Sequence, residues 1–429
     1  MKNKKILIIS HNPLSQVNNN GKTLVSIFRG ICEENIYQIY LTSEISDYSD
    51  KCHYLQINEK QILKSVLKAK NICCQEVCST PGRVSSTAVR IKSWGIHAKR
   101  LLRECIWKTG IWKQNLREWL RDKRFEVVFF MAGDGVFAYD VYNYVMKHVK
   151  SKGCIFFTDD YIIGKTSSSP LALLRRIILK RKIIKTLPLV HDFYVISDEM
   201  KKEYDKLFSV DSYVIRNFSV EKKDQTSEKS GIGVNEDLIM VYAGGLHYNR
   251  WKVLSIIADK LKIINLSSKT QCKLKIFSSQ SISADIIDKI AVKDTSMFCG
   301  GVSASQIAEL YANSDILLHV ESFDKKSIAS TKYSFSTKIP EYLSSGKCVL
   351  AVGPSEIASM KYLSDFACVI CDENELLEKL TKLTQNEEYR RAIKMSCDKR
   401  YESDFSPEIQ EKCLQRIVSN QGILFEEVE

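Results

Sequence analysis

The feature that most constrains this chain is the alternation of short apolar runs with segments of helical periodicity, in two series. The candidate strands of the first series are Ile6–Ile9, Ile36–Leu41, Val127–Met131, Cys154–Thr158, Phe193–Ile196 and Tyr213–Ile215. Those of the second are Leu238–Tyr242, Leu274–Phe277, Met297–Phe298, Ile316–Val320, Val349–Val352 and Cys368–Ile370. Helical patterns such as Trp251–Asn265 and Ala304–Ala312 lie between the strands. Such alternation predicts α/β architecture, with parallel sheets covered by helices.

A polar, aperiodic stretch at residues 221–237 separates the two series. A chain of 429 residues also exceeds what one hydrophobic core commonly accommodates. We therefore expect a Rossmann-like domain over residues 1–220, a linker over 221–237, a second Rossmann-like domain over 238–403 and a final helix over 404–429. Ligands of doubly wound sheets bind beyond the carboxyl ends of the strands. The expected site is therefore the cleft between the domains.

The sequence after the first strand, NNNGKT, resembles the end of a phosphate-binding P-loop. That motif requires a glycine five residues before the Gly-Lys pair, where this chain has Gln16. The P-loop is therefore rejected. Asn20 and Gly21 are expected at a turn leading into a helix near Lys22. This turn either lines the cleft or is a plain helix cap, in which Asn20 or Thr23 satisfies the backbone amides.

Two other strand-end loops of the first domain carry candidate site residues. Gly133 and Asp134 follow the third strand in a tight turn, where glycine permits a positive φ and a close backbone approach. Asp159 and Asp160 follow the fourth strand. A pair of carboxylates there can orient a hydroxyl or act as a catalytic base, or can form only a turn.

In the second domain, two segments combine glycine or capping residues with charge. Gly244 and Gly245 leave the backbone bare after a strand, and Arg250 and Lys252 follow at the start of a helix, where their cations can meet a diphosphate. The second segment follows the strand that ends in Glu321. In it, Ser336, Thr337 and Lys338 open a helix whose free amides suit a diphosphate, and Glu341 lies about one turn further on, where it can accept hydrogen bonds from ribose hydroxyls.

These segments resemble bacterial glycosyltransferases of the GT-B fold, specifically the retaining family-4 type. STKIPEYLSSGKCVLA is similar to the helix with which that family closes around a nucleotide-sugar, and AGGLHYNRWK resembles its glycine loop. VISDEMKKEYDKLF followed by VIRNF resembles the end of the family's first domain. FSPEIQEKCLQRIV resembles its final helix, which crosses back to that domain. The resemblance covers nearly the whole chain.

The resemblance implies a role for each matching residue. It makes Glu341 the ribose ligand, Arg250 and Lys252 the diphosphate ligands, and Glu321 a catalytic carboxylate near the transferred sugar. It makes the Asn20–Gly21 loop part of the cleft wall, and it implies a metal-independent enzyme without a cofactor. Two features depart from the family: the two glutamates lie 20 positions apart, and the histidine often found in the fourth-strand loop is absent.

The resemblance implies transfer of a sugar from a nucleoside diphosphate sugar to a saccharide or lipid-linked saccharide, as in capsule or O-antigen biosynthesis. Two alternatives stay open: an epimerase of the UDP-sugar 2-epimerase type, and a non-catalytic module that binds a sugar-nucleotide or a partner. Incubation with a UDP-sugar and no acceptor separates the first from a transferase.

The net charge of +12 indicates an anionic partner. Residues 90–124 contain four tryptophans among basic residues, and residues 171–185 alternate apolar and basic clusters at helical spacing. Both segments suit an anionic membrane surface, or equally form ordinary helices packed on a sheet. No nucleic-acid motif accompanies the charge, so nucleic acid is not an expected partner.

The expected location is cytoplasmic, or peripheral at the inner face of the plasma membrane. The apolar run Ile6–Ile9 is too short for a signal peptide and predicts a buried strand instead. The fourteen cysteines are scattered rather than spaced as a disulfide framework or a zinc site, so we expect free thiols and no metal site.

Overall fold

A computed structural model describes residues 2–16, 19–68, 74–77, 96–164, 169–218 and 237–419. The expected linker over 221–237 lies outside these ranges except for Asp237. The contacts divide the chain into two units. The first contains residues up to Asn217 together with those from Gln410 onward, and the second runs from Phe218 to Ile409. None of the described helices is long and apolar enough to cross a bilayer.

The first unit is built on an eight-stranded sheet in the order β4-β3-β2-β1-β5-β6-β7-β8. Its strands are β1 (Ile6–Ser10), β2 (Ile36–Tyr40), β3 (His53–Ile57), β4 (Cys74–Glu76), β5 (Val127–Ala132), β6 (Lys152–Phe157), β7 (Asp192–Val195) and β8 (Ser212–Val214). Its helices in the part of the chain up to Asn217 are α1 (Asn19–Ile27), α2 (Glu59–Lys68), α3 (Ile96–Trp107), α4 (Trp112–Leu120), α5 (Val136–His148), α6 (Pro170–Thr186) and α7 (Asp198–Phe208). The described strands pair in parallel, except for β3 with β4.

The second unit is built on a six-stranded parallel sheet in the order β11-β10-β9-β12-β13-β14. Its strands are β9 (Leu238–Ala243), β10 (Cys272–Phe277), β11 (Ser296–Gly300), β12 (Ile316–Val320), β13 (Cys348–Val352) and β14 (Cys368–Ile370). The helices that follow β9 are α8 (Arg250–Ser267), α9 (Ala284–Ile290), α10 (Ala304–Ala312), α11 (Lys325–Thr331), α12 (Lys338–Ser344), α13 (Ala358–Ser364), α14 (Leu376–Gln385) and α15 (Glu387–Phe405).

The last described helix, α16 (Pro407–Val418), packs on the first unit. The Gln410 amide donates to the backbone carbonyls of Ser26 and Arg29 at 2.8 and 3.1 Å. The guanidinium of Arg416 lies over the Tyr213 ring. The expected helix over 404–429 is wrong in its start, because α15 continues to Phe405 and a break at Ser406 precedes α16.

The central strands consist of buried residues throughout, since both faces of each sheet are covered. This explains why continuous apolar runs, rather than alternating ones, identify them in the sequence. The prediction of an α/β fold with two doubly wound, Rossmann-like sheets is confirmed.

Candidate functional site

The carboxyl ends of β9 and β12 meet where the strand order of the second sheet reverses. From β9, the sheet extends through β10 and β11 on one side and through β12, β13 and β14 on the other. Gly244 and Gly245 directly follow β9, and Glu321 directly follows β12. Because ligands of doubly wound sheets bind at such a reversal, these three predicted residues share the position best suited to a site.

Arg250, the first residue of α8, forms a bidentate ion pair with Glu321. Its Nη2 atom lies 2.9 Å from each carboxylate oxygen, and its Nε donates to Oε2 at 3.3 Å. The side chain of Glu321 is 4% exposed and that of Arg250 is 16% exposed, so solvent screens the pair little. The structure therefore joins two residues to which the sequence assigned separate roles.

Each partner of this buried pair affects the pKa of the other. Burial lowers the pKa of Arg250, but the Glu321 carboxylate, together with Tyr242 and Tyr248, outweighs this effect and holds that pKa above its usual value. Burial raises the pKa of Glu321, and the guanidinium opposes that rise. Arg250 therefore keeps its positive charge in this buried position.

The loop between Gly245 and Arg250 is held by Gln280, which follows β10. The Gln280 side-chain oxygen accepts hydrogen bonds from two successive backbone N–H groups of the loop, at 2.8 and 3.2 Å. Its nitrogen lies 2.8 Å from Nδ1 of His247, whose Nε2 lies 3.4 Å from Nη1 of Arg250. The loop thus places an imidazole beside the guanidinium nitrogen that faces away from the ion pair. Neither residue was predicted from the sequence, although His247 lies only three positions before Arg250.

Two further residues beside Glu321 were not predicted. His319, on β12, has its Nε2 3.5 Å from Oε1 of Glu321. Burial, followed by the charge of Arg250, lowers the pKa of His319 to about 3, so this imidazole is neutral at neutral pH. A Cβ added to Gly353 would lie 2.7 Å from the Cβ of Glu321, so glycine is required for the end of β13 to pass this close.

A second group of predicted residues lies on and before α12. Lys338 and Glu341 form an ion pair of 3.1 Å, and the side chain of Glu341 is 13% exposed. Ser336 Oγ accepts from the Lys338 N–H at 3.3 Å, whereas the side chain of Thr337 makes no capping hydrogen bond. The Tyr342 hydroxyl donates to the carbonyl of Leu318 at 3.2 Å, so α12 rests against β12, the strand that leads to Glu321.

Lys252 lies two residues beyond Arg250 on α8. Together with stronger hydrogen bonds from Ser327, its charge lowers the pKa of Asp324, which caps α11. Lys252 is therefore close enough to the loop that follows β12 for its charge to act on Asp324.

In the first unit, Gly133 and Asp134 lie at the corresponding reversal, between β1 and β5. The Asp134 carboxylate contacts Arg100 at 2.9 Å and Arg175 at 3.3 Å. Gly133 uses neither property that glycine permits, because its φ is not positive and a Cβ there would meet nothing within 4 Å. Glycine is thus not required at Gly133 by the fold of this unit.

The start of α5 at this edge is occupied by a side chain that the sequence did not indicate. Both carboxylate oxygens of Glu104 on α3 accept from the first backbone amides of α5, at 2.8 and 2.9 Å. Burial raises the pKa of Glu104, although these two bonds oppose the rise. His11, after β1, lies in the same region, where burial and Arg103 lower its pKa to about 4.

The contacts of Asp160 are those of a turn-forming residue. Its carboxylate accepts backbone hydrogen bonds from Ile162 and Ile163, each at 2.9 Å, and from Gly164. The Tyr204 hydroxyl donates to it at 3.0 Å. This arrangement favours the turn alternative for Asp160, while Asp159 contributes with burial to raising the pKa of the neighbouring Tyr161.

Gly21 lies inside α1 rather than at the turn that precedes it. The expected helix start near Lys22 is wrong, because α1 begins at Asn19. A Cβ on Gly21 would lie 2.6 Å from the Pro13 carbonyl and from the Ser15 amide nitrogen. The close approach that this glycine permits is therefore to the chain's own preceding loop.

Replacing Gly21 with alanine is expected to destabilise the first unit by about 1–3 kcal/mol, because the added methyl overpacks two backbone groups. This cost exceeds the gain of about 1 kcal/mol that alanine brings within a helix. Gly133→Ala is the matched control and should change the melting temperature little. An increase in melting temperature for Gly21→Ala would show that the loop does not pack against it.

The described tryptophans of residues 90–124 do not form a surface aromatic belt. Trp107, Trp112 and Trp119 are 3%, 1% and 7% exposed. Trp107 stacks on Phe137 with ring centroids 4.5 Å apart, and the Trp112 indole donates to the Trp107 carbonyl at 3.0 Å. For these three residues the membrane interpretation is wrong and the packed-helix alternative holds. Trp94 lies outside the described residues.

Comparison with known proteins identifies the fold and matches one segment of the second unit to a family. Residues 265–409 match a family model described as glycosyl transferase-like. No curated protein matches the chain. Among solved structures, an alpha,alpha-trehalose-phosphate synthase (UDP-forming) from Burkholderia vietnamiensis has a TM-score of 0.60 and 9% identity, over 97% of this chain and 99% of that one.

Two further solved structures have the same fold. One is the corresponding UDP-forming synthase from Burkholderia xenovorans in complex with glucose-6-phosphate, with a TM-score of 0.60, 10% identity, and coverage of 97% and 100%. The other is WaaG, a glycosyltransferase involved in lipopolysaccharide biosynthesis, with a TM-score of 0.57, 14% identity, and coverage of 97% and 100%. The chain therefore has the GT-B fold, and its second unit carries a glycosyl transferase-like segment, as the resemblance to GT-B glycosyltransferases predicted.

Proposed function

We propose that this protein transfers a sugar from a nucleoside diphosphate sugar to a saccharide or lipid-linked saccharide, with retention of anomeric configuration and without a metal ion. The observation that carries the proposal is the buried Arg250–Glu321 pair at the reversal of the second sheet, close to α12 with Glu341. A fixed guanidinium at this edge is suited to a diphosphate leaving group.

The nitrogens of the Arg250 guanidinium group have different neighbours. Its Nε and Nη2 face Glu321, whereas Nη1 lies beside His247. We assign Nη1, together with Lys252 and the turn at Gly244 and Gly245, to the diphosphate of the donor. Positive charge fixed before the donor arrives stabilises the departing diphosphate without reorganisation. In this arrangement Glu321 positions the guanidinium.

Glu341 is assigned to the ribose of the donor. Its carboxylate is partly exposed and already contacts one cation, Lys338. A carboxylate accepts hydrogen bonds from two vicinal hydroxyls, and bonds to a charged group contribute about 1.5–3 kcal/mol each. The short α12, with Ser336 and Thr337 before it, rests against β12 through Tyr342, the neighbour of Glu341 in the sequence.

The acceptor is assigned to the first unit, where Asp134 and Arg100 lie at the corresponding reversal of the sheet. A role in cell-surface polysaccharide synthesis is supported by the lipopolysaccharide enzyme that shares the fold. UDP is the first nucleotide to test, because two proteins that share the fold are described as UDP-forming. Transfer in the presence of a chelator should equal transfer without one.

Glu341→Ala is expected to weaken binding of the donor about tenfold to a hundredfold for each ribose hydrogen bond that is lost. A thermal-shift screen against UDP-, GDP- and TDP-sugars first identifies the donor, because a ligand that binds only the native state raises its stability. Titration of that donor against the native chain and the variant then measures the loss.

The matched control is Glu375→Ala, which removes a glutamate paired with Lys379 in the same unit, after β14 at the far end of the sheet. Its donor affinity should equal that of the native chain. Equal affinity for Glu341→Ala and the native chain would refute the ribose assignment. Conversion of a UDP-sugar without any acceptor would instead identify an epimerase, and binding without turnover would identify a binding module.

A further inference from the structure

Helix α6 is apolar on two opposite faces, although only one of them is covered. Ala172, Leu179 and Ile183 face inward and are buried. The helix packs against α5 and α3 on this side. A surface helix of a soluble protein carries one apolar stripe and a polar opposite face. The outward face of α6 departs from that rule.

The outward face carries six large aliphatic side chains. They are 38–55% exposed, and they are Leu171, Leu173, Leu174, Ile177, Ile178 and Ile184. Sixteen large apolar side chains are exposed among the described residues, so this one helix carries more than a third of them. Concentrated exposure of this kind marks a surface that contacts a partner or a membrane.

The cations of α6 divide into an inward and an outward group. Arg175 contacts Asp134, Arg176 donates to the Gly164 carbonyl, and Lys182 contacts Asp140. These three are engaged with the first unit itself.

The remaining three cations are Lys180, Arg181 and Lys185, and they lie among or beside the exposed aliphatic residues. The helix contains no acidic residue. Its outward face therefore combines apolar surface with positive charge only, which complements a surface that is both apolar and anionic.

The composition of this face distinguishes a lipid surface from a protein partner. Protein interfaces are enriched in aromatic residues and methionine and depleted in lysine. The outward face of α6 has leucine and isoleucine with two lysines and one arginine, and no aromatic residue. Leucine-rich basic helices lie in the plane of a bilayer, with aliphatic side chains among the acyl chains and cations at the anionic headgroups.

We propose that the outward face of α6 is a membrane-docking surface that binds anionic lipid bilayers, with the helix lying in the plane of the interface. This surface is formed by α6 alone and is independent of the donor site. It deepens the proposed function in one respect, because a docked enzyme meets lipid-linked acceptors at the surface that holds them.

Flotation with lipid vesicles tests the proposal. The native chain is expected to float with vesicles of phosphatidylcholine and phosphatidylglycerol and not with vesicles of phosphatidylcholine alone. Replacing Lys180, Arg181 and Lys185 together with glutamine should lower the partition coefficient on the order of a hundredfold, since each basic residue near an anionic surface contributes about fivefold. The double variant Leu174→Glu, Ile178→Glu should abolish flotation.

The matched control is the double variant Ile263→Glu, Leu266→Glu on α8, whose side chains are 51% and 83% exposed. It introduces the same charge at exposed aliphatic positions of the second unit and should float like the native chain. Donor affinity and melting temperature should be native in all three variants, which keeps failure of docking distinct from failure of the donor site or of folding.

Three outcomes would overturn the proposal. One is absence of flotation of the native chain with anionic vesicles. Another is unchanged flotation of the α6 variants. The third is a native chain that does not bind vesicles but self-associates in sedimentation, with the association lost in the α6 variants. That result would make this face a protein interface.

Discussion

Replacing Arg250 with alanine is expected to destabilise the second unit by about 3–5 kcal/mol, the cost of leaving one partner of a buried ion pair uncompensated. The Glu321 carboxylate is nearly inaccessible to water and relies on Arg250 for its bidentate contact. Without the guanidinium, burial alone acts on the pKa of Glu321 and raises it further. Urea unfolding of the variant and the native chain measures the loss.

Arg391→Ala provides the matched control. Arg391 also pairs with a glutamate in the second unit, but both side chains of that pair are more than 60% exposed. Exposed pairs contribute only about 0–1 kcal/mol, so this variant should stay close to the native chain. Equal loss in the two arginine variants would contradict the burial argument.

The effect of Arg250 on folding must be separated from its proposed effect on the donor. The double variant Arg250→Met, Glu321→Leu removes both charges, and apolar replacement of a buried pair is commonly neutral or stabilising. We expect this variant to fold with near-native stability and to lose donor binding. If it binds the donor like the native chain, the diphosphate assignment of Arg250 is wrong.

Replacing Trp112 with alanine is expected to destabilise the first unit by about 3–5 kcal/mol, because a large buried side chain leaves a cavity. Trp112 is 1% exposed, packs edge-on against Tyr144 at 5.5 Å and donates to the Trp107 carbonyl. Differential scanning calorimetry measures the loss. A native-like transition would show that the indole does not fill the core.

Trp112→Phe separates packing from membrane binding. Phenylalanine keeps most of the apolar volume and removes the indole donor, so the loss should be smaller than with alanine. Flotation of this variant with anionic vesicles should equal that of the native chain, since the indole is buried. Loss of flotation with native stability would restore the interfacial interpretation of this tryptophan.

The strands that sequence predicts are those whose residues are apolar on both faces. The runs at β1, β5, β9 and β12 are continuous and were found within a few residues of their ends. β3 was missed because its residues, HYLQI, include polar side chains. Gln56 on this strand is buried and donates to the Tyr40 hydroxyl and the Glu44 carbonyl. A buried polar residue with its own partners removes the apolar signal without weakening the strand.

The residues of the candidate site can be predicted one by one from the sequence, but the contacts between them cannot. Glycines and charged residues after a strand can be read from local sequence, and this identified Gly244, Arg250, Glu321 and Glu341. The ion pair joins residues 71 positions apart, and only the register of the sheet brings them together. The sequence also does not indicate that Trp107, Trp112 and Trp119 are buried. A basic helix packed on a core and one lying on a membrane share the same spacing.

The assignment of α16 to the first unit has a consequence for how the chain is synthesised. The chain crosses between the units twice, once near Asn217 and once near Gln410. Synthesis proceeds from the amino terminus, and domains generally fold as they emerge. The hydrogen bonds from Gln410 to the carbonyls of Ser26 and Arg29 therefore form only after the whole second unit has been synthesised. The first unit is therefore the first to be synthesised and the last to be completed. A chain that lacks α16 lacks part of the first unit.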